Sequence, residues 1–275
     1  MWAKILLGIL LLVMVGSAFY FDPARDRSIL GVPPADGVRL RLMTWNIGRA
    51  SLEGDSRART EDLKAVAEVI LKYDPDALAI QELTGPDQLD ILLGHLNQRY
   101  RGAVCSFGNS DRVEAVIVKN PSARFEEIPA GDRYALGATF PSGKDSLDVM
   151  MISAHADAFN AARRRTFVGD VVDWARPRAT DRALFIAGDF NFELNARNQS
   201  NLYTDNLKHD SEAYAYLLKY FRDLGRDAGT TTINNRRIDY LFGLPEVALL
   251  RRAEVIKPAA VGRMDHLPLL VEVAL

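Results

Sequence analysis

Apolar residues in this chain gather into short runs that stop abruptly at a polar residue. Val38-Arg39-Leu40-Arg41-Leu42-Met43-Thr44-Trp45-Asn46 alternates like a half-buried strand and ends in an amide. Ala77-Leu78-Ala79-Ile80 is uninterrupted, as in a buried strand, and leads into Gln81-Glu82. Leu147 to Ala154 ends in His155, and Phe185-Ile186-Ala187-Gly188 ends in Asp189-Phe190-Asn191. Between these runs the period changes. Leu63, Val66, Ala67, Ile70 and Leu71 predict a helix over 57–72, and further helices are expected from Pro86 to about Asn97, over 160–175 and around 211–222. Other strands are expected near 101–107, 113–119, 124–128, 134–139, 237–243, 246–257 and 268–274. Strands and helices mix irregularly and several neighbouring strands are joined by short turns. The pattern therefore predicts a mixed-sheet α/β domain rather than a regular βαβ barrel.

The N-terminus does not fit this scheme. Ile5 to Phe21 contains no charge; Ile5 to Val15 has the length of a signal-peptide core, and Gly16-Ser17-Ala18 resembles a cleavage site. The whole stretch also reaches the lower limit, about 17 residues, for spanning a bilayer, and Phe19-Tyr20-Phe21 would suit an interfacial belt. Residues 1–21 are thus expected to be a membrane anchor or signal peptide, 22–37 a Pro- and Gly-punctuated linker, and 38–275 the globular domain. Basic residues flank the apolar stretch on both sides, so charge does not orient it. The very short N-terminal tail favours an exported domain, on the periplasmic or extracellular side.

The net charge of −2 offers no general attraction to a polyanion, so an anionic substrate would need a local patch. The single cysteine, Cys105, excludes an intrachain disulfide and a thiolate metal cage, and its apolar setting reads as a core thiol. The strand ends carry a coherent chemistry. Polar residues at the carboxyl ends of sheet strands are where α/β folds place sites. Glu82 and Asp265 are hard-oxygen ligands suited to Mg²⁺ or Mn²⁺. His155 and His266 could move protons near neutral pH, and Asn46 and Asn191 could orient phosphate oxygens or a water.

Trp45-Asn46, Gln81-Glu82, Ser153-Ala154-His155, Gly188-Asp189-Phe190-Asn191, Arg237-Ile238-Asp239-Tyr240 and Asp265-His266 occur in the order of the motifs of the endonuclease/exonuclease/phosphatase superfamily, which the chain resembles from about residue 38 to its C-terminus. The resemblance implies a four-layer α/β/β/α sandwich of two packed mixed sheets, and a Mg²⁺- or Mn²⁺-dependent phosphodiesterase acting on nucleic acid or a lipid headgroup. It implies that Glu82 holds the metal, with Asp265 and Asn46 completing that end. His266, oriented by Asp239, would act on the attacking water or contact the phosphate. Asp189 and Asn191 would hold nucleophile and phosphate. His155 would bind a phosphate oxygen or protonate the leaving group, leaning on Glu114.

Several residues depart from that pattern or have a plainer reading. Gly48 stands where some members have an acid, and Ala156-Asp157 follows His155 where a leucine is more usual; Asp157 reads as a loop cap. The Pro-x-Trp-Cys-Asp-Arg signature of inositol-phosphate 5-phosphatases is absent. Arg164 and Arg237 lie in basic clusters beside the motifs and are candidate phosphate grips. His95 and His209 read as surface residues; Tyr203, Tyr214, Tyr216, Tyr220 and Phe221 read as core rather than a stacking platform. A phosphomonoesterase and a membrane-attached non-catalytic binding module are the alternative functions. No protein partner is inferred.

Overall fold

The strand runs pair into two six-stranded mixed sheets. The computed structural model describes residues 37–48, 60–106, 112–143, 147–192, 194, 204–244, 248–257 and 264–275. The expected anchor or signal segment, and the linker apart from Gly37, lie outside them. All of the described residues belong to one compact unit, Ala35–Leu275. Among them no helix is long and apolar enough to cross a membrane.

The first sheet contains β1 (Arg39–Asn46), β2 (Ala77–Leu83), β3 (Arg101–Ser106), β4 (Val113–Val118), β11 (Leu249–Val255) and β12 (Leu269–Ala274), in the order β11-β12-β1-β2-β4-β3. The second contains β5 (Arg124–Ala130), β6 (Arg133–Pro141), β7 (Asp148–His155), β8 (Arg182–Asp189), β9 (Arg222–Asp223) and β10 (Asp239–Gly243), in the order β5-β6-β7-β8-β10-β9. Within each sheet a parallel pair forms the middle: β1 with β2, and β7 with β8. The helices are α1 (Thr60–Tyr73), α2 (Pro86–His95), α3 (Ala161–Ala175) and α4 (Leu207–Leu218).

Three apolar clusters separate four layers. Leu63, Val66 and Ile70 of α1 and Leu89 and Leu92 of α2 bury against Met43, Trp45, Ile80 and Ile117. Leu42, Ala79 and Val116 meet Ala138, Met151, Phe185 and Leu241 between the sheets. Ile152, Ile186, Tyr240 and Phe242 bury against Phe167 and Val171 of α3 and Leu217 of α4. This is the expected four-layer sandwich. The expected aromatic core also holds, since Tyr214, Tyr216, Tyr220 and Phe221 pack into the last cluster; Tyr203 lies outside the described residues.

The last helix departs from expectation at both ends. The last helix starts at Leu207, four residues early, because the Asn206 side chain accepts from the backbone N–H of Lys208 and His209 and caps it there. It ends at Leu218, which leaves Phe221 in the turn before β9. Residues 176–180 form a 3₁₀ helix directly after α3. Cys105 is buried, and burial pushes its thiol pKa well up, as for a core residue. His95 and His209 are half-buried rather than surface residues.

Candidate active site

The period of two that builds the inter-sheet core also assembles the site. In β7 the residues facing the other sheet are Val149 and Met151, so Ser153 and His155 continue that face. In β8 Ala183, Phe185 and Ala187 lead in the same way to Asp189. In β4 Val118 and Val116 lead to Glu114, and in β1 Leu40 and Leu42 lead to Thr44 and Asn46. The apolar residues fill the middle of the sandwich, and the polar ones meet at one edge of it. Asn46, Glu114, His155, Asp189, Asn191, Asp239 and His266 are all buried there.

Glu82 arrives differently. By alternation it would face the helices with Leu78 and Ile80. The pairing of β2 with β4 shifts register between Ile80 and Leu83, and Glu82 takes φ 65. A bulge with a left-handed residue re-aims a side chain, and here it swings the carboxylate into the site. Its Oε1 accepts from Asn46 Nδ2 at 3.2 Å and from Arg112 Nη1 at 2.6 Å.

Gly188 permits the close meeting of β7 and β8. Its φ is +151, and a Cβ there would lie 1.7 Å from the Ala154 carbonyl oxygen. Only glycine fits. Beyond it the chain turns so that Asp189 Oδ1 accepts from the Asn191 backbone N–H at 2.9 Å. Asn191, itself at φ 52, donates Nδ2 to the Ala156 carbonyl at 3.2 Å, which leaves its oxygen as the acceptor to offer.

Each imidazole is backed by a carboxylate. His155 Nδ1 donates to Glu114 Oε1 at 3.1 Å, and His266 Nδ1 donates to Asp239 at 3.0 Å. Burial works against a charged His155, but Glu114, Asp189 and Glu82 together outweigh it and raise its pKa. Burial likewise opposes charge on His266, yet Asp239, Asp189 and Asp265 raise its pKa to about 10. Complete burial pushes the Glu114 carboxyl up despite His155. The other nitrogen, Nε2, of each ring lies near Asp189 Oδ2, at 3.6 Å from His155 and 3.7 Å from His266. Asn46 Nδ2 donates to that same oxygen at 3.0 Å.

Residues with no assigned role in the sequence reading complete the frame. Thr44 Oγ1 donates to Gln81 Oε1 at 3.3 Å, Gln81 Nε2 to Ser153 Oγ at 3.0 Å, and Ser153 Oγ to Glu114 Oε2 at 3.4 Å. This buried chain runs from the first sheet to Ser153 in the second and returns to Glu114 of the first, the carboxylate behind His155. Alternation alone could have pointed to Gln81 and Ser153, polar residues on otherwise apolar inward faces. On the other side, Thr231 Oγ1 accepts from the backbone N–H of Asp239, and Trp45 Nε1 donates to the His266 carbonyl. No sequence pattern marked Arg112, which lies just ahead of β4.

Two expectations change. Arg164 is fully buried. It is held by Asp210 at 2.7 and 3.0 Å, by the Asp157 carbonyl and by Thr204, so it pins α3 to α4 and to the segment just before it and cannot grip substrate. Arg237 donates to both oxygens of Asp223 at 2.6 and 2.7 Å and stacks on Tyr240, whose ring belongs to the helix-side core. It too is structural. Asn46 accepts the Gly48 N–H on its oxygen at 2.9 Å, which keeps a second lone pair, while its Nδ2 bridges Glu82 and Asp189. Asp157 caps its loop as expected, accepting from the N–H groups of Phe159 and Asn160.

The donor set suits a hard divalent cation. Each imidazole and its carboxylate cancel, which leaves Glu82, Asp189 and Asp265 against Arg112, an excess of about two negative charges. Asp265 is exposed, and its Oδ1 lies 3.9 Å from where a Cβ on Gly48 would be. Asp189, Asp239 and His266 could also hold an ion, with one ligand atom each within 4.8 Å of one another. That second set must first lose the proton that the acids hold on His266. Glu82 and Asp265 are the more open oxygens.

The sequence matches the Endonuclease/Exonuclease/phosphatase family over residues 43–260. No curated protein matches it. Similar solved structures include an endonuclease/exonuclease/phosphatase from Bacteroides vulgatus (16% identity, TM-score 0.68, covering 86% of this chain and 99% of that one). The human Nocturnin catalytic domain with bound sulfate is similar too (18% identity, TM-score 0.63, covering 88% of this chain and 95% of that one). So is a mannosyl-6-phosphatase from Bacteroides thetaiotaomicron (15% identity, TM-score 0.66, covering 86% of this chain and 100% of that one). At these identities the likeness is one of fold.

Proposed function

The chain belongs to the Endonuclease/Exonuclease/phosphatase family, whose members are generally phosphoric ester hydrolases, and on that premise we propose that it hydrolyses a phosphodiester by in-line attack of water. The observation that carries this reading is the convergence of His155, His266 and Asn46 on one oxygen of Asp189. A carboxylate flanked by two nitrogen donors suits a reaction that removes a proton from water and supplies positive charge to phosphate oxygens.

Asp189 takes the proton as the water oxygen bonds to phosphorus, and Asn191 positions that water. The bond to the leaving oxygen breaks, and that oxygen takes its proton from His155. His266, held charged by Asp239, contacts a non-bridging oxygen. Glu82 and Asp265 would hold Mg²⁺ or Mn²⁺, which supplies further neutralisation of phosphate charge when bound. The apolar stretch Ile5–Phe21 supports a chain that is exported or tethered to a membrane, with 38–275 as its catalytic domain.

A substrate panel with Mg²⁺ or Mn²⁺ tests the proposal: plasmid DNA, RNA, a sphingomyelin-type lipid, a generic phosphodiester and a phosphomonoester. Turnover of a diester supports it. Turnover of the monoester alone would move the activity to a phosphatase, and no turnover of any would leave a binding module.

A further inference from the structure

Glu82 Oε1 is crowded. Arg112 Nη1 donates to it at 2.6 Å, Asn46 Nδ2 at 3.2 Å, and His155 Nε2 lies 3.9 Å away. Asn46 and His155 are buried and fixed by other bonds, to Gly48 and Asp189 and to Glu114 respectively. Arg112 differs, because its side chain is 33% exposed at the mouth of the site. Three other arginines near the motifs are committed elsewhere, Arg164 to Asp210, Arg237 to Asp223 and Arg133 to Asp157, and Arg236 is buried. A guanidinium does not lose its charge at working pH, and its planar fork matches phosphate as well as carboxylate.

We propose that Arg112 is a phosphate-gripping residue that competes with the divalent cation for Glu82, so that cation and substrate phosphate strengthen each other's binding. The proposal rests on the phosphoester-hydrolase reading given above. Two cations cannot both claim one carboxylate without repelling each other. A phosphate oxyanion at the mouth offers Arg112 an alternative bidentate partner. When Arg112 transfers to it, Glu82 is left to the cation. When the cation takes Glu82, Arg112 is released to phosphate. Linkage requires the two effects to be equal in binding free energy. The arrangement favours assembly of the complete site over either half alone.

The test is Mn²⁺ binding to the full chain, followed by electron paramagnetic resonance with and without inorganic phosphate, in wild type, Arg112→Gln and Arg112→Lys. Phosphate is expected to tighten Mn²⁺ binding by the wild type. Arg112→Gln is expected to bind Mn²⁺ about three- to tenfold more tightly without phosphate, and to lose at least about half of the phosphate effect. Arg112→Lys, which keeps the charge but not the fork, should fall between them, and it carries the test if the Gln variant does not fold. Unchanged Mn²⁺ affinity and an unchanged phosphate effect in both variants would overturn the proposal while leaving the metal reading intact. A wild type that binds no Mn²⁺ would overturn both.

Discussion

His155 and His266 come from different strand ends, yet their Nε2 atoms lie 3.6 and 3.7 Å from the same oxygen, Oδ2 of Asp189. Each ring is fixed from behind by its own acid, so both Nε2 positions are set before any substrate arrives. Replacing Asp189 with Asn should therefore lower turnover by about 10²- to 10⁴-fold. The new amide keeps an oxygen for the Asn191 N–H but turns its NH2 toward Asn46 Nδ2, which loses its acceptor there, so the melting temperature should fall by a few degrees while the protein still folds. Calorimetry beside steady-state kinetics checks both halves.

The acids around His266 set a pH dependence of stability. Its pKa is about 10 in the folded protein, against an ordinary value of about 6.5 in the unfolded chain. Below about 6.5 both states hold the proton and the full stabilisation is present. Between about 6.5 and 10 only the folded state holds it, so stability falls as pH rises and the contribution is gone above about 10. Thermal melts across this window should show the decline. Asp239→Asn should flatten it and bring the His266 titration, followed by NMR, down toward the usual histidine range.

The relay from Thr44 through Gln81 and Ser153 holds Glu114, and through it His155. Gln81→Leu leaves the Thr44 hydroxyl without its acceptor and Ser153 without its donor. The cost should be about 1–3 kcal/mol in urea unfolding. Gln81 acts as a positioning residue, so kcat should fall with KM nearly unchanged, and the pH–rate profile should shift. A purely structural glutamine would leave that profile in place.

Arg164 makes the opposite prediction. Removing one partner of a fully buried pair leaves the other charge unpaired, at a cost of about 3–5 kcal/mol. Arg164→Met should lose that stability, and adding Asp210→Leu should restore much of it. Below the melting transition KM should match wild type, which separates this arginine from a phosphate grip.

The contrast between Arg164 and Arg112 marks how far the sequence could be read. Strand ends were legible because a two-residue period carries a side chain's facing along the run, from Phe185 and Ala187 to Asp189 or from Met151 to His155. Motif order named the acids behind the histidines, and the structure brings Glu114 and Asp239 to them. What was not legible depends on three-dimensional partners. Arg164 looked available because its neighbours in sequence are basic, but its partner Asp210 lies on another helix. Arg112 was silent because the bulge at Glu82 that brings the two together has no sequence signature.

Hydrolysis of bis(4-nitrophenyl) phosphate by the full chain, across a Mn²⁺ titration in wild type and Glu82→Gln, tests the central claim most directly. The prediction is saturable, Mn²⁺-dependent turnover that EDTA abolishes and added Mn²⁺ restores, with Glu82→Gln about 10²-fold or more slower at every Mn²⁺ concentration. Turnover that survives EDTA, or a Glu82→Gln enzyme that matches wild type, would contradict it.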